Sequence, residues 1–171
     1  ENLGEIKRNF IFKMNFCLDK DAERFSGIEQ CFSPNYDQRP IGAEIELLVI
    51  HGISLPPRKF GGMEIIDLFT NSLDASAHPS FEEIATNRVS AHLLIRRDGQ
   101  VIQFVSFKNR AWHAGNSAFC GRTSCNDFSI GIELEGYDDI AYEKMQYIVL
   151  AGITKTLQKH CSKNAKTVKT H

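Results

Sequence analysis

At 171 residues the chain is most simply one domain, long enough to bury a core without covalent staples. Its 20 Lys and Arg nearly balance 21 Asp and Glu, for a formal net charge of −1, so no global field points to nucleic acid or an anionic membrane, and no oligomeric state is set. Five cysteines, Cys17, Cys31, Cys120, Cys125 and Cys161, are an odd number without framework spacing, which argues against a secreted disulfide scaffold and fits reduced thiols in a cytosol.

No segment approaches the roughly 20 apolar residues of a membrane span. The nearest, NFIFKMNFCL from Asn9, is broken by Lys13, and the CLDKDAERF that overlaps it lacks the small-residue cleavage site of a signal peptide. Residues 1–32 are therefore set aside as an N-terminal extension, in part of non-native origin, with Met14 a candidate natural start. The domain is expected over residues 33–171.

Polar, proline-marked chain (CFSPNYDQRP) should wrap the surface before a strand from Ile45 to His51. Leu47, Leu48, Val49 and Ile50 form the continuous apolar run of a strand covered on both faces, and His51 is its first polar side chain. The glycines and prolines of GISLPPRKFGG forbid regular structure there. Short helices are expected at MEIIDLFTN and PSFEEIATN, the second with Pro79 and Ser80 at its start and Glu82 and Glu83 in its first turn. In SAHLLIRRDGQVIQFVS, Asp98-Gly99 predicts a two-residue hairpin turn with Arg97 opposite Gln100, placing Leu93 and Ile95 on one face with Ile102 and Phe104.

Alternation in FSIGIEL puts Phe128, Ile130, Ile132 and Leu134 on one face of a strand and Ser129, Gly131 and Glu133 on the other. A mid-strand carboxylate beside a serine and a glycine suggests space above that face, with Gly131 leaving room for a ligand. The plainer alternative is a solvated acid on an edge strand. Met145, Ile148, Val149, Ile153 and Leu157 then recur at helical spacing, with Asp138 and Asp139 upstream as capping candidates. KTVKTH closes the chain as a short strand or loop. Together these elements describe an α/β fold, a mixed central β-sheet flanked by helices.

A histidine and a glutamate that is not a ligand are the equipment for polarising a water at a metal. RAWHAG adds the only tryptophan, Trp112, and a second histidine, His113; half-exposed aromatics pack or hold sugars and peptides. LLVIHGISLPPRKFGG, HPSFEEIATNRVSAHLLIRRDGQVIQFV, RAWHAG and CNDFSIGIELEG, in that order, resemble the zinc-dependent N-acetylmuramoyl-L-alanine amidases of the type-2 amidase family. Within it they are most similar to the cytoplasmic 1,6-anhydro-N-acetylmuramoyl-L-alanine amidases of Gram-negative bacteria.

The resemblance implies the type-2 amidase and peptidoglycan-recognition fold, Zn²⁺ as cofactor and an anhydromuropeptide as substrate. The metal ligands fall on His51 and on His171 of KTH, the catalytic acid/base on Glu133, and the substrate groove on Trp112 and Arg88. His92 and His113 lie in matched motifs and are expected to hydrogen-bond around the site without ligating. Family members continue with a K-x-D-P-G element whose aspartate completes the metal site and whose lysine assists, so the third ligand is expected beyond His171. Two rivals stay open: a recognition module of the same fold that binds without hydrolysis, and a Cys/His site in HAGNSAFCGRTSC.

Overall fold

The computed structural model describes residues 16–21, 23–161 and 166–169. Short strands lead in: β1 (Cys17–Asp19), β2 (Arg24–Ser26), β3 (Glu29–Gln30) and β4 (Tyr36–Gln38). β5 (Leu47–Ile53) is followed by a short helix, Glu64–Phe69, then β6 (Leu93–Ile95), β7 (Val101–Gln103) and β8 (Asn109–Ala111). The two-residue strands β9 (Ala118–Phe119) and β10 (Arg122–Thr123) precede β11 (Ser129–Glu135), a long helix (Lys144–His160) and β12 (Lys166–Lys169).

Six of these strands form the central sheet of the described residues, in the order β12-β5-β11-β6-β7-β3. β12, β5, β11 and β6 are parallel and β7 turns back against β6. The long apolar runs therefore occupy the middle, where both faces are covered. Every residue of β11 is buried. One face carries Leu48, Ile50, Ile130, Ile132 and Leu134 against Val149, Ile153 and Leu157 of the long helix. The other carries Leu94, Ile102 and Phe104 against Ile65, Ile66 and Phe69 of the short helix. Chain ahead of residue 33 joins this packing: Phe25 lies in the first cluster and β3 pairs with β7.

Four local expectations are corrected. β5 runs on past His51 to Ile53, because Gly52 and Ile53 still pair with Leu134 and Glu135. The hairpin register is one residue away from the expected one: Ile95 opposes Val101, and the Arg96 N–H donates to the Gln100 carbonyl at 2.9 Å. Its loop has three residues, with Gly99 at φ 91° supplying the left-handed position. A slip of one residue exchanges faces, so Val101, not Ile102, shares the face under the long helix with Leu93 and Ile95, and Ile102 faces the short helix. At PSFEEIATN only Pro79–Phe81 is helical, a single 3₁₀ turn whose start is capped by the His78 side chain accepting from Ser80 N–H. The long helix is capped not by Asp138 or Asp139 but by Glu143, which forms a reciprocal capping box with Gln146. Buried Gln146 also donates to the Ile95 and Glu135 carbonyls at 3.2 and 2.9 Å, tying the helix start to the strand ends.

Candidate active site

The parallel register of β5 and β11 sets His51 beside Glu133, Val49 beside Gly131 and Leu47 beside Ser129. Strand alternation puts all six on the face away from the long helix. Leu94 of β6 flanks Glu133 on its other side, so Glu133 belongs to a central strand and the edge-strand alternative is excluded. Its side chain is buried, and Oε2 has no hydrogen-bond partner among the described residues. Burial pushes the carboxyl up to about 8, because a low-dielectric surrounding penalises the charged form.

His51 is half-buried, and burial lowers its imidazole to about 4. Its Nε2 lies 2.9 Å from Nδ1 of His113, whose Nε2 is 3.1 Å from Ser129 Oγ. The His113 ring lies directly over Gly131: a Cβ there would sit 2.3 Å from the ring's Cγ. The space that Gly131 opens is therefore taken by His113 and not by a ligand, which corrects the expectation from the strand pattern. Asn126 holds the loop behind it, its Oδ1 accepting from the backbone of His113 and Ala114 at 3.2 and 2.9 Å.

His92 is fully buried, and its Nδ1 accepts from Gly131 N–H at 3.0 Å. The neutral ring therefore carries its proton on Nε2 and donates to the Asn109 carbonyl at 3.1 Å. Burial, and then the positive charge of Arg39 at 3.3 Å from Nε2, hold it near 3. Arg39 lies in polar, proline-marked chain whose sequence carries no sign of this role. Its Nε donates to Phe107 O, Nη1 to Asn126 O and Asp127 O, and Nη2 to Ser129 O, at 2.8–3.1 Å.

Trp112 is half-buried and immediately precedes His113; its backbone exchanges bonds with Ser90, 3.0 Å from Ser90 N–H to Trp112 O and 3.1 Å from Trp112 N–H to Ser90 Oγ. Arg88 is exposed two residues before Ser90. His171 lies outside the described residues. Among those described, no group of three or more His, Cys, Asp or Glu is placed to hold a metal, and in particular Cys120 is exposed while Cys125 packs against Phe128. Two open cavities, of about 440 Å³ beside Phe60, Arg97 and Glu135 and about 530 Å³ beside Arg39, His160 and Cys161, include neither His51 nor Glu133 in their walls.

The raised Glu133 carboxyl makes stability depend on pH in the metal-free protein. The folded chain keeps the Glu133 proton up to about pH 8, whereas an ordinary glutamate releases it near 4.5. Between those values the folded state binds more protons, so stability falls as pH rises. Relative to the native chain, Glu133→Gln is expected to gain stability progressively from pH 4.5 to 8, by a few kcal/mol in total and at most about 1.4 kcal/mol for each pH unit crossed. Urea unfolding at a series of pH values checks this; a constant difference would refute it.

The chain matches the N-acetylmuramoyl-L-alanine amidase family model over residues 41–171. It is 57% identical to the 1,6-anhydro-N-acetylmuramyl-L-alanine amidase AmpD of Escherichia coli K12 over 131 residues, 77% of this chain and 72% of the relative. Against the AmpD of Salmonella typhimurium LT2 it is 60% identical over 125 residues, 73% of this chain and 67% of the relative. A crystal structure of a selenomethionine AmpD derivative matches with a TM-score of 0.84 at 50% identity, covering 88% of this chain and 84% of that one. The mixed sheet, its order and its helices are thus a shared architecture, and the sequence match spans both strands that carry His51 and Glu133: the chain belongs to the N-acetylmuramoyl-L-alanine amidase family.

Proposed function

We propose that this chain hydrolyses the amide between the lactyl group of 1,6-anhydro-N-acetylmuramic acid and L-alanine in muropeptides. It would do so in cytoplasmic cell-wall recycling, with a consequent effect on β-lactamase induction. Its relatives carry that activity in their names. The observation that carries the reading is the buried Glu133 carboxyl, in register with His51, whose Oε2 has no hydrogen-bond partner among the described residues. No helix of the described residues is long and apolar enough to cross a membrane.

Do these residues fit zinc? An orphaned buried carboxyl oxygen is costly unless something polar meets it in the working protein, and a water held between it and a cation is such a group. An imidazole that stays neutral to about pH 4 keeps a lone pair for a metal across the physiological range. The fit is good. His51 is proposed as one ligand, and His171, outside the described residues, as the second. β12 runs parallel to β5 and brings Lys169 level with Ile50, so the described chain reaches the end of β5 that carries His51.

Zinc in such a site supplies Lewis acidity, polarising the scissile carbonyl and acidifying a water. Glu133 takes the proton from the attacking water at Oε2 and returns it to the departing alanine nitrogen. A carboxyl raised to about 8 by burial is well placed for both transfers, since a nearby cation favours its carboxylate form and substrate binding reinforces its dry surroundings. Trp112 and Arg88 are proposed to line the groove, the half-buried ring against the sugar and the exposed guanidinium toward the carboxylates of the stem peptide.

Release of free stem peptide from anhydromuropeptide by the full-length protein tests the proposal. Turnover is expected to disappear on chelation and return with Zn²⁺. Tight binding without turnover in the zinc-loaded protein would assign the chain to muropeptide recognition instead.

A further inference from the structure

A ring nitrogen at 2.9 Å from another, as between His51 Nε2 and His113 Nδ1, requires one donor and one acceptor. Continuing to Ser129 Oγ at 3.1 Å, the chain of bonds can run in two directions. In one, Ser129 donates to His113 Nε2, His113 Nδ1–H donates to His51, and a neutral His51 carries its proton on Nδ1. In the other, His51 Nε2–H donates to His113 Nδ1, and His113 Nε2–H donates to Ser129 Oγ. Only the second leaves His51 a lone pair, on Nδ1, with which to ligate.

We propose that His113 is a positioning residue for the metal site: it accepts from His51 Nε2–H, fixing the tautomer and ring orientation that present His51 Nδ1 to the cation, and is itself oriented by Ser129 and Gly131. The inference rests on the reading of His51 as a ligand. Three features of the structure carry it. His113 touches His51 directly and through the nitrogen opposite the one that would ligate. Its ring is confined by backbone: the Gly131 Cα on one side leaves no room for a Cβ, and Asn126 Oδ1 pins both its own N–H and that of Ala114. Ser129 lies in the same strand as Glu133, and its carbonyl is gripped by Arg39 at 2.8 Å. The acid/base and the support of the ligand are thus set on one rigid strand, with Glu133 two residues from Gly131 and four from Ser129. A glycine in the middle of a fully buried strand weakens it; seating His113 is what that glycine achieves.

The test uses ¹⁵N-histidine spectra and zinc affinity by chelator competition on the full chain. In the metal-free protein His51 is expected to show an N–H at Nε2 and no proton on Nδ1. His113→Leu removes the acceptor at similar bulk, and Gly131→Ala displaces the ring; each should weaken zinc affinity about 10–100-fold with the N–H of His51 no longer held at Nε2. His113→Asn restores an acceptor near the Nδ1 position and should recover most of the affinity, which a purely space-filling role would not produce. Metal-free His51 protonated on Nδ1, or unchanged zinc affinity in folded His113→Leu, would overturn the inference. His51→Ala separates the two levels: loss of zinc there with none in His113→Leu sinks only the positioning role, whereas zinc retained in His51→Ala sinks the ligand reading and this inference with it. Where a variant fails to fold, the tautomer of the native chain decides.

Discussion

Glu133→Ala is expected to lower amide hydrolysis by on the order of 10²–10⁴-fold while zinc content stays unchanged. The expectation follows from what surrounds the carboxyl. Among the described residues of β5 and β11, Glu133 is the only carboxylate on the face of His51 and at its level, and Oε2 makes no hydrogen bond with any described residue. Its removal breaks no contact of that oxygen that holds the fold, so the loss falls on proton transfer. Glu133→Gln is the sharper variant, because it keeps the volume and removes the group that takes up and releases a proton; it should be as inactive as Glu133→Ala. Timed release of stem peptide, beside zinc content from elemental analysis, reads both halves. Full activity in Glu133→Gln, or loss of zinc with loss of activity, would show that the carboxyl is not the acid/base.

Much of this arrangement is legible from residues alone, and the part that is not has identifiable causes. His51 and Glu133 stand out because each is polar within an apolar strand, and alternation assigns Glu133 the face of Ser129 and Gly131. That they are neighbours depends on a parallel pairing of strands some 80 positions apart in sequence, which local periodicity does not encode. The Asp98-Gly99 signal locates the hairpin, yet a two-residue turn and a three-residue loop with a left-handed glycine both accept it; the difference exchanges Val101 for Ile102 on the face packed against the long helix. Gly131 announces empty space above a strand without saying what fills it, and His113, from a loop 18 residues earlier, does. Arg39 sits in proline-marked polar chain that reads as surface, and nothing nearby in sequence hints that its guanidinium turns inward to four carbonyls.

Arg39→Met is accordingly expected to be among the most destabilising single changes in the chain, costing about 3–5 kcal/mol. Four carbonyls, of Phe107, Asn126, Asp127 and Ser129, lose a charged donor together, and burial already lowers the guanidinium to about 10, a sign of how little water replaces it. A hydrogen bond to a charged group contributes roughly 1.5–3 kcal/mol, but the four share one side chain and relax together, so the sum is far from additive. For a domain of this size the cost corresponds to a fall in Tm of roughly 6–20 °C. Arg122→Ala is the contrast: its ion pair with Glu46, 2.7 Å long, is half-exposed on both sides, and screening by water limits it to under about 1 kcal/mol. Because Arg39 grips the segment that leads into β11, the loss should also loosen the strand on which Ser129, Gly131 and Glu133 are mounted. Activity in Arg39→Met would then fail at a lower temperature than global unfolding, as hydrogen exchange at the β11 amides rises before the long helix opens. Calorimetry paired with residue-resolved exchange checks both parts, and a Tm within a degree or two of the native chain would remove Arg39 from the account of how the site is held.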